Sequence, residues 1–137
     1  MNTQTKNEYL LLFRGDESYK GLSAEQLRSV ISQTKAWFER LETQGKFKDG
    51  RPLGREGSLV SGKNGRTVAD GPFAESKEAI GGFLLVQADG IEEAIAIAKG
   101  NPMLAYGATI EVRPIAEECP LDACARKLAQ EEQLAHA

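Results

Sequence analysis

Three carboxylates and one ammonium fall within the nine residues Asp70-Gly71-Pro72-Phe73-Ala74-Glu75-Ser76-Lys77-Glu78, followed by Ala79-Ile80-Gly81-Gly82. A general base needs a carboxylate held partly out of water, so that its proton affinity suits the reaction. Asp70 and Glu75 are the candidates for that role. Lys77 is a candidate for holding a substrate anion, or it neutralises Glu78 and does no more. Phe73 is an apolar anchor that must bury its ring, and Arg14, at the end of an apolar strand, is a further ligand-binding candidate. Asp-Gly-Pro is turn chemistry: Gly71 supplies backbone angles other residues resist, and Pro72 fixes φ near −65°. Gly71 is therefore expected at positive φ. Lys77 projects beside Glu75 only in an extended segment; in a helix Glu75 and Glu78 share a face instead. Any reaction here would be proton transfer or elimination by carboxylates. The plainer reading is a well-formed loop with solvated charges.

Other chemistries lack their residues. The single histidine is His136, next to last in the chain, which leaves no Ser-His-Asp triad, Cys-His pair or multi-histidine metal site. Cys119 and Cys124 are separated by four residues, which matches neither a redox pair nor a zinc knuckle, so free thiols are expected. Gly54-Arg-Glu-Gly57 and Gly62-Lys-Asn-Gly65 are not phosphate-cradling loops, and no cofactor is expected. A net charge of −3 and a pI near 5.3 argue against nucleic acid or an anionic membrane as partner. The basic residues Lys46, Lys48, Arg51, Arg55, Lys63 and Arg66 concentrate in one stretch, which suits a solvated loop or the steering of a small anion. No apolar run approaches the roughly 20 residues that span a bilayer, and Met1–Glu8 has no apolar export segment. A cytoplasmic location is expected.

The elements that must position these groups follow from periodicity. Tyr9, Leu11 and Phe13 alternate with Leu10 and Leu12, and Phe83 and Leu85 with Leu84 and Val86, giving two strands apolar on both faces and hence central. Ser23-Ala-Glu-Gln26 is a capping box opening a helix along Leu27, Val30, Ile31, Thr34, Trp37, Phe38 and Leu41, with Gly45 after its end. Residues 46–57 read as a loop or irregular edge. Ser58–Ser61 and Arg66–Ala69 form a hairpin around Asn64-Gly65. Gly81-Gly82 lets the backbone turn sharply into the second central strand. Asp89, with Glu92 three residues on, caps a helix carrying Ile91, Ala94, Ile95 and Ala98, which Gly100-Asn101-Pro102 ends. Ala108–Arg113 is an outer strand with Ile110 and Val112 inward and one wet face. Residues 1–115 form the domain, and 116–137 an acidic tail with a short helix over Leu121–Leu134. The order is a split βαβ twice over, the ferredoxin-like α+β pattern with an inserted hairpin. Both helices then lie on one sheet face. Because the central strands are apolar on both faces, a second copy is expected to cover the other, making a homodimer.

DGPFAESKE, then GGFLLVQAD, then Ile110-Glu-Val-Arg-Pro-Ile115, resembles the DGPF branch of the YCII-related proteins, over about Tyr9 to Ile115. The resemblance implies a ferredoxin-like chain that dimerises into an αβ barrel. It also implies an association with extracytoplasmic-function sigma factors, that is, a non-catalytic regulatory module. Some members carry a His-Asp pair thought to act in acid–base or dehalogenating chemistry. That histidine is missing here, so their mechanism does not carry over. Two classes remain: a small-molecule enzyme or binding protein, and a dimeric module without chemistry.

Overall fold

The computed structural model describes residues 7–14, 18–54, 56–70 and 79–135. A four-stranded antiparallel sheet is built from β1 (Glu8–Arg14), β2 (Phe47–Pro52), β5 (Ile80–Gln87) and β6 (Thr109–Pro114), in the order β2-β5-β1-β6. The two strands that are apolar on both faces, β1 and β5, are the central ones. Between β2 and β5 the chain makes a separate two-stranded hairpin, β3 (Ser58–Ser61) and β4 (Thr67–Asp70). Its turn uses positive φ at Gly62, Asn64 and Gly65, the work expected of Asn-Gly.

The helix α1 (Ala24–Thr43) starts at the expected capping box, with Gln26 N–H donating to Ser23 Oγ and Ser23 N–H donating to Gln26 Oε1. It ends as Gly45 foretells: at φ +73°, Gly45 donates its N–H to Glu42 O, and Lys46 N–H reaches Leu41 O. A second helix, α2 (Ile91–Lys99), packs on the same sheet face. Tyr9, Leu11, Leu84 and Val86 from the sheet meet Trp37 and Leu41 of α1 and Ala94, Ile97 and Ala98 of α2 in one core. The buried stripe of α2 differs from the expected one. Ile97 is inside, whereas Ile91 and Ile95 are about two-fifths exposed. A third helix, α3 (Pro120–Ala135), covers the stretch read as helical tail, and none of its residues is buried. Among the described residues, no helix is long and apolar enough to cross a membrane.

Three local readings are corrected. Within residues 46–57, expected as a loop or irregular edge, residues 47–52 are not a loop but the edge strand β2, whose register with β5 shifts between Phe47 and Asp49. Only Phe47 brings apolar surface, and the strand is held by main-chain pairing to β5. Gly81 and Gly82 do not turn the chain but lie within β5. Gly81 is the extra residue of a bulge, since Phe13 pairs with Gly82 and Arg14 with Ile80. Asp89 is not the cap of α2. Gly90 holds that place, and Glu93 rather than Glu92 reaches back, its Oε1 accepting from Asp89 N–H at 2.6 Å.

Lys46 Nζ donates to the other Glu93 oxygen at 2.7 Å. The Lys46 hydrogen bond, then the Asp89 N–H, hold the Glu93 carboxyl below the usual glutamate range. A depressed folded pKa adds stability above the unfolded value, about 4.3, and that stability is lost as pH falls through the lower folded one. Glu93→Gln should therefore flatten the acid-side fall in urea midpoint below about pH 4.3. An identical pH profile for variant and wild type would show that this carboxylate contributes nothing.

Thr34 lies in the core-facing stripe of α1, and its Oγ1 is buried without a hydrogen-bond partner among the described residues. Desolvating a hydroxyl without replacing its bond costs about 1–3 kcal/mol. Thr34→Val keeps the shape and removes the orphan, so it should raise stability by about 1 kcal/mol. A lowered melting temperature would mean the hydroxyl is satisfied.

Candidate functional site

The sheet face away from the helices is floored by four half-buried side chains, Leu10 and Leu12 of β1 and Phe83 and Leu85 of β5. Alternation along β1 puts Arg14 on this same face. Alternation along β6 turns Ile110 and Val112 toward the core and leaves Thr109, Glu111 and Arg113 on the open side. Leu12 pairs with Glu111 and Arg14 with Thr109, so Arg14 and Glu111 are diagonal neighbours. Arg14 Nη1 donates to Glu111 Oε1 at 2.6 Å, with the two side chains 31% and 35% exposed. On its other side, Glu111 Oε2 lies 3.9 Å from Arg113 Nε.

The Gly81 bulge sits opposite this end of β1. Bulges add local twist and re-aim side chains, and they recur beside active sites. Here the bulge falls where Arg14 leaves the regular ladder, at the register step between Phe13 and Arg14. Chemically, the pair offers a planar donor fork beside an oriented carboxylate, over an apolar floor. Such a fork matches a carboxylate or an oxyanion, and the neighbouring carboxylate can take a proton from the bound molecule.

The main chain of Asp70 ends β4, paired with Ser58 in the hairpin. Gly71, Pro72, Phe73, Glu75 and Lys77 lie outside the described residues, as does His136, so the positive φ expected at Gly71 does too. Ala79 and Ile80 are described, and Ile80 is the residue that pairs with Arg14. The motif thus rejoins the sheet beside the one predicted site residue whose side chain is seen. Sequence reasoning missed Glu111, which read as the wet side of an outer strand. Only the register, which makes it a diagonal neighbour of Arg14, picks it out.

A hollow of about 440 Å³ lies elsewhere, between α1 and the α2–β6 connection, lined by residues including Gln33, Arg40, Lys99 and Asn101. Among the described residues, no carboxylate lines it. Cys119 and Cys124 are both free and exposed. Among the described residues, no three His, Cys, Asp or Glu side chains converge to hold a metal ion.

The YCII-related domain family matches residues 8–118 of the chain. No curated protein sequence matches it. Among solved structures, the chain is similar to the 5-chloro-2-hydroxyhydroquinone dehydrochlorinase TftG from Burkholderia phenoliruptrix AC1100, solved with 2,5-dihydroxybenzoquinone, at 17% identity and a TM-score of 0.46. The match covers 81% of this chain and 95% of that one.

Proposed function

The chain belongs to the YCII-related domain family, and from that premise we propose a homodimer that binds a small organic anion at the Arg14 end of its open sheet face. The observation that carries this reading is the 2.6 Å Arg14–Glu111 pair, one-third exposed, above the half-buried Leu12 and Phe83. A guanidinium is a planar fork of N–H donors, the shape that pairs with a carboxylate or other oxyanion. An anion with a flat apolar body would set its charge on Arg14 and its body on Leu12 and Phe83.

In this reading Asp70 and Glu75 supply base chemistry from the segment that rejoins the sheet at Ile80. Phe73 and Lys77 are the further ligand-binding residues of this reading. Glu111 orients Arg14 and is a third carboxylate within reach of the ligand. Any turnover is proton transfer or elimination. A second sheet over the open face would exclude water, which strengthens each of these polar contacts.

Benzoate, an aromatic carboxylate, is a suitable probe. Titrated into the labelled full-length chain, it should shift the amide resonances of Phe13, Arg14, Ile80 and Ile110–Val112. Shifts confined to Gly100–Ala105, beside the hollow on the helical side, would place binding elsewhere and refute the site. An absence of any shift would favour the alternative, a non-catalytic dimeric module that meets a protein such as a sigma factor.

A further inference from the structure

The hollow on the helical side, about 440 Å³, gathers cations from two helix ends. Arg40 comes from the last turn of α1 and Lys99 from the last turn of α2. Asn101, Pro102 and Leu104 follow from the α2–β6 connection. Positive charge near a helix C-terminus is favourable in itself, which gives each cation a plain reason to be there. That reason does not bring both to one hollow, nor does it clear the hollow of counter-charges. Among the described residues, neither Arg40 nor Lys99 has an ion-pair partner. No carboxylate among those residues lines the walls.

Asn101 adds an oriented donor. It is 6% exposed, and its Oδ1 accepts from Met103 N–H at 2.8 Å. A main-chain N–H can only donate, so the oxygen must face Met103 and the NH2 group must be the other end of the carboxamide. That NH2 group has no hydrogen-bond partner among the described residues, yet it is not sealed from solvent as Thr34 Oγ1 is. The carbonyls that end α2 would repel an anion, but two of them are occupied. Ile97 O accepts from Trp37 Nε1 and Gly100 N–H, and Ala98 O accepts from Asn101 N–H.

We propose that this hollow is a second anion site and that it takes a phosphomonoester, with the dianionic phosphate held by Arg40, Lys99 and the Asn101 amide. The inference goes beyond the Arg14 site and stands without it. Two unpaired cations match a charge of −2, where a carboxylate brings only one. The Arg40 fork suits two phosphate oxygens, and Lys99 is a point charge for the third. The volume falls within the roughly 300–1,000 Å³ of small-molecule sites and exceeds what a bare phosphate fills. The remaining space, walled by Pro102 and Leu104, takes the organic body of the ester.

Phenyl phosphate titrated into the labelled full-length chain tests this, at about pH 7.5, where a phosphomonoester is mostly dianionic. It should shift the amide resonances of Lys99, Gly100, Asn101, Met103, Leu104 and Ala105. Arg40 and Lys99 are exposed, so Arg40→Gln and Lys99→Gln leave the fold intact, and each should raise the dissociation constant roughly tenfold. Asn101→Asp keeps the acceptor for Met103 N–H but sets a negative charge where the donor was, and it should abolish the shifts. Inorganic phosphate should shift the same resonances with lower affinity, because it leaves the apolar wall uncovered. Equal affinities for the two compounds would overturn the phosphomonoester assignment. Shifts confined to Phe13, Arg14 and Ile80 would place the compound on the open sheet face and overturn the second site. So would an absence of shifts at phenyl phosphate concentrations around 10 mM, or wild-type affinity in both the Arg40 and Lys99 variants.

Discussion

Replacing Trp37 by alanine should cost about 3–5 kcal/mol, enough to leave a domain of this size largely unfolded at modest urea concentrations. Trp37 is 3% exposed at the centre of the core between α1 and α2. Its ring meets Phe38 edge-on at 5.0 Å, and Phe38 in turn meets Phe47 of β2 at 6.3 Å. The indole Nε1–H donates to Ile97 O at 3.1 Å, binding the last turn of α2 to α1. Gly100 makes room for it, since a Cβ there would lie 3.1 Å from that nitrogen. Trp37→Phe keeps most of the buried area and loses the indole hydrogen bond. Because Gly100 N–H also donates to Ile97 O, that carbonyl keeps a partner, and the loss should be nearer 1 kcal/mol. Urea midpoints for the two variants measure the split. An alanine variant within 1 kcal/mol of wild type would contradict this core.

The second large effect separates two adjacent glycines. A Cβ on Gly82 would lie 3.0 Å from Arg51 O and 3.3 Å from Pro52 Cα, both main-chain atoms of β2. Main chain tied into a ladder cannot step aside as a side chain can, so β2 would have to lift off β5. Gly82→Ala should cost about 1–3 kcal/mol, and Gly82→Val more. Among the described residues, a Cβ on Gly81 would meet only Phe13 O, at an ordinary 3.7 Å. Gly81→Ala should therefore stay within about 1 kcal/mol of wild type. Equal losses at the two positions in thermal melts would show that backbone freedom, not the approach of β2, is what these glycines provide.

What the sequence made legible was whatever side chains enforce. Two-sided apolarity placed β1 and β5 at the centre of the sheet, and the Ser23–Gln26 box and Gly45 fixed both ends of α1. The strand β2 was illegible because its pairing lies in main-chain hydrogen bonds. Apart from Phe47 its residues are polar or small, and Gly50 is there because a Cβ would press on Leu84 Cδ1 at 2.9 Å. The capping of α2 was misread by one residue, since a glycine at the cap leaves no side-chain signal. At the site, Arg14 was legible as a charge ending a central strand. Glu111 was not, because alternation says which face a residue takes and not which neighbour the register sets beside it. The Asp70–Glu78 stretch stood out by composition, and of its placement only the return at Ile80 is described.

Arg14 is the residue on which ligand binding at the open sheet face depends. Isothermal titration of benzoate into the wild-type chain and into Arg14→Met, with melting temperatures as a control, tests it most directly. Removing a charged hydrogen-bonding partner should weaken binding by roughly tenfold to a hundredfold, with the melting temperature little changed. Equal affinities in the two proteins, or no binding to wild type at benzoate concentrations around 10 mM, would contradict the site.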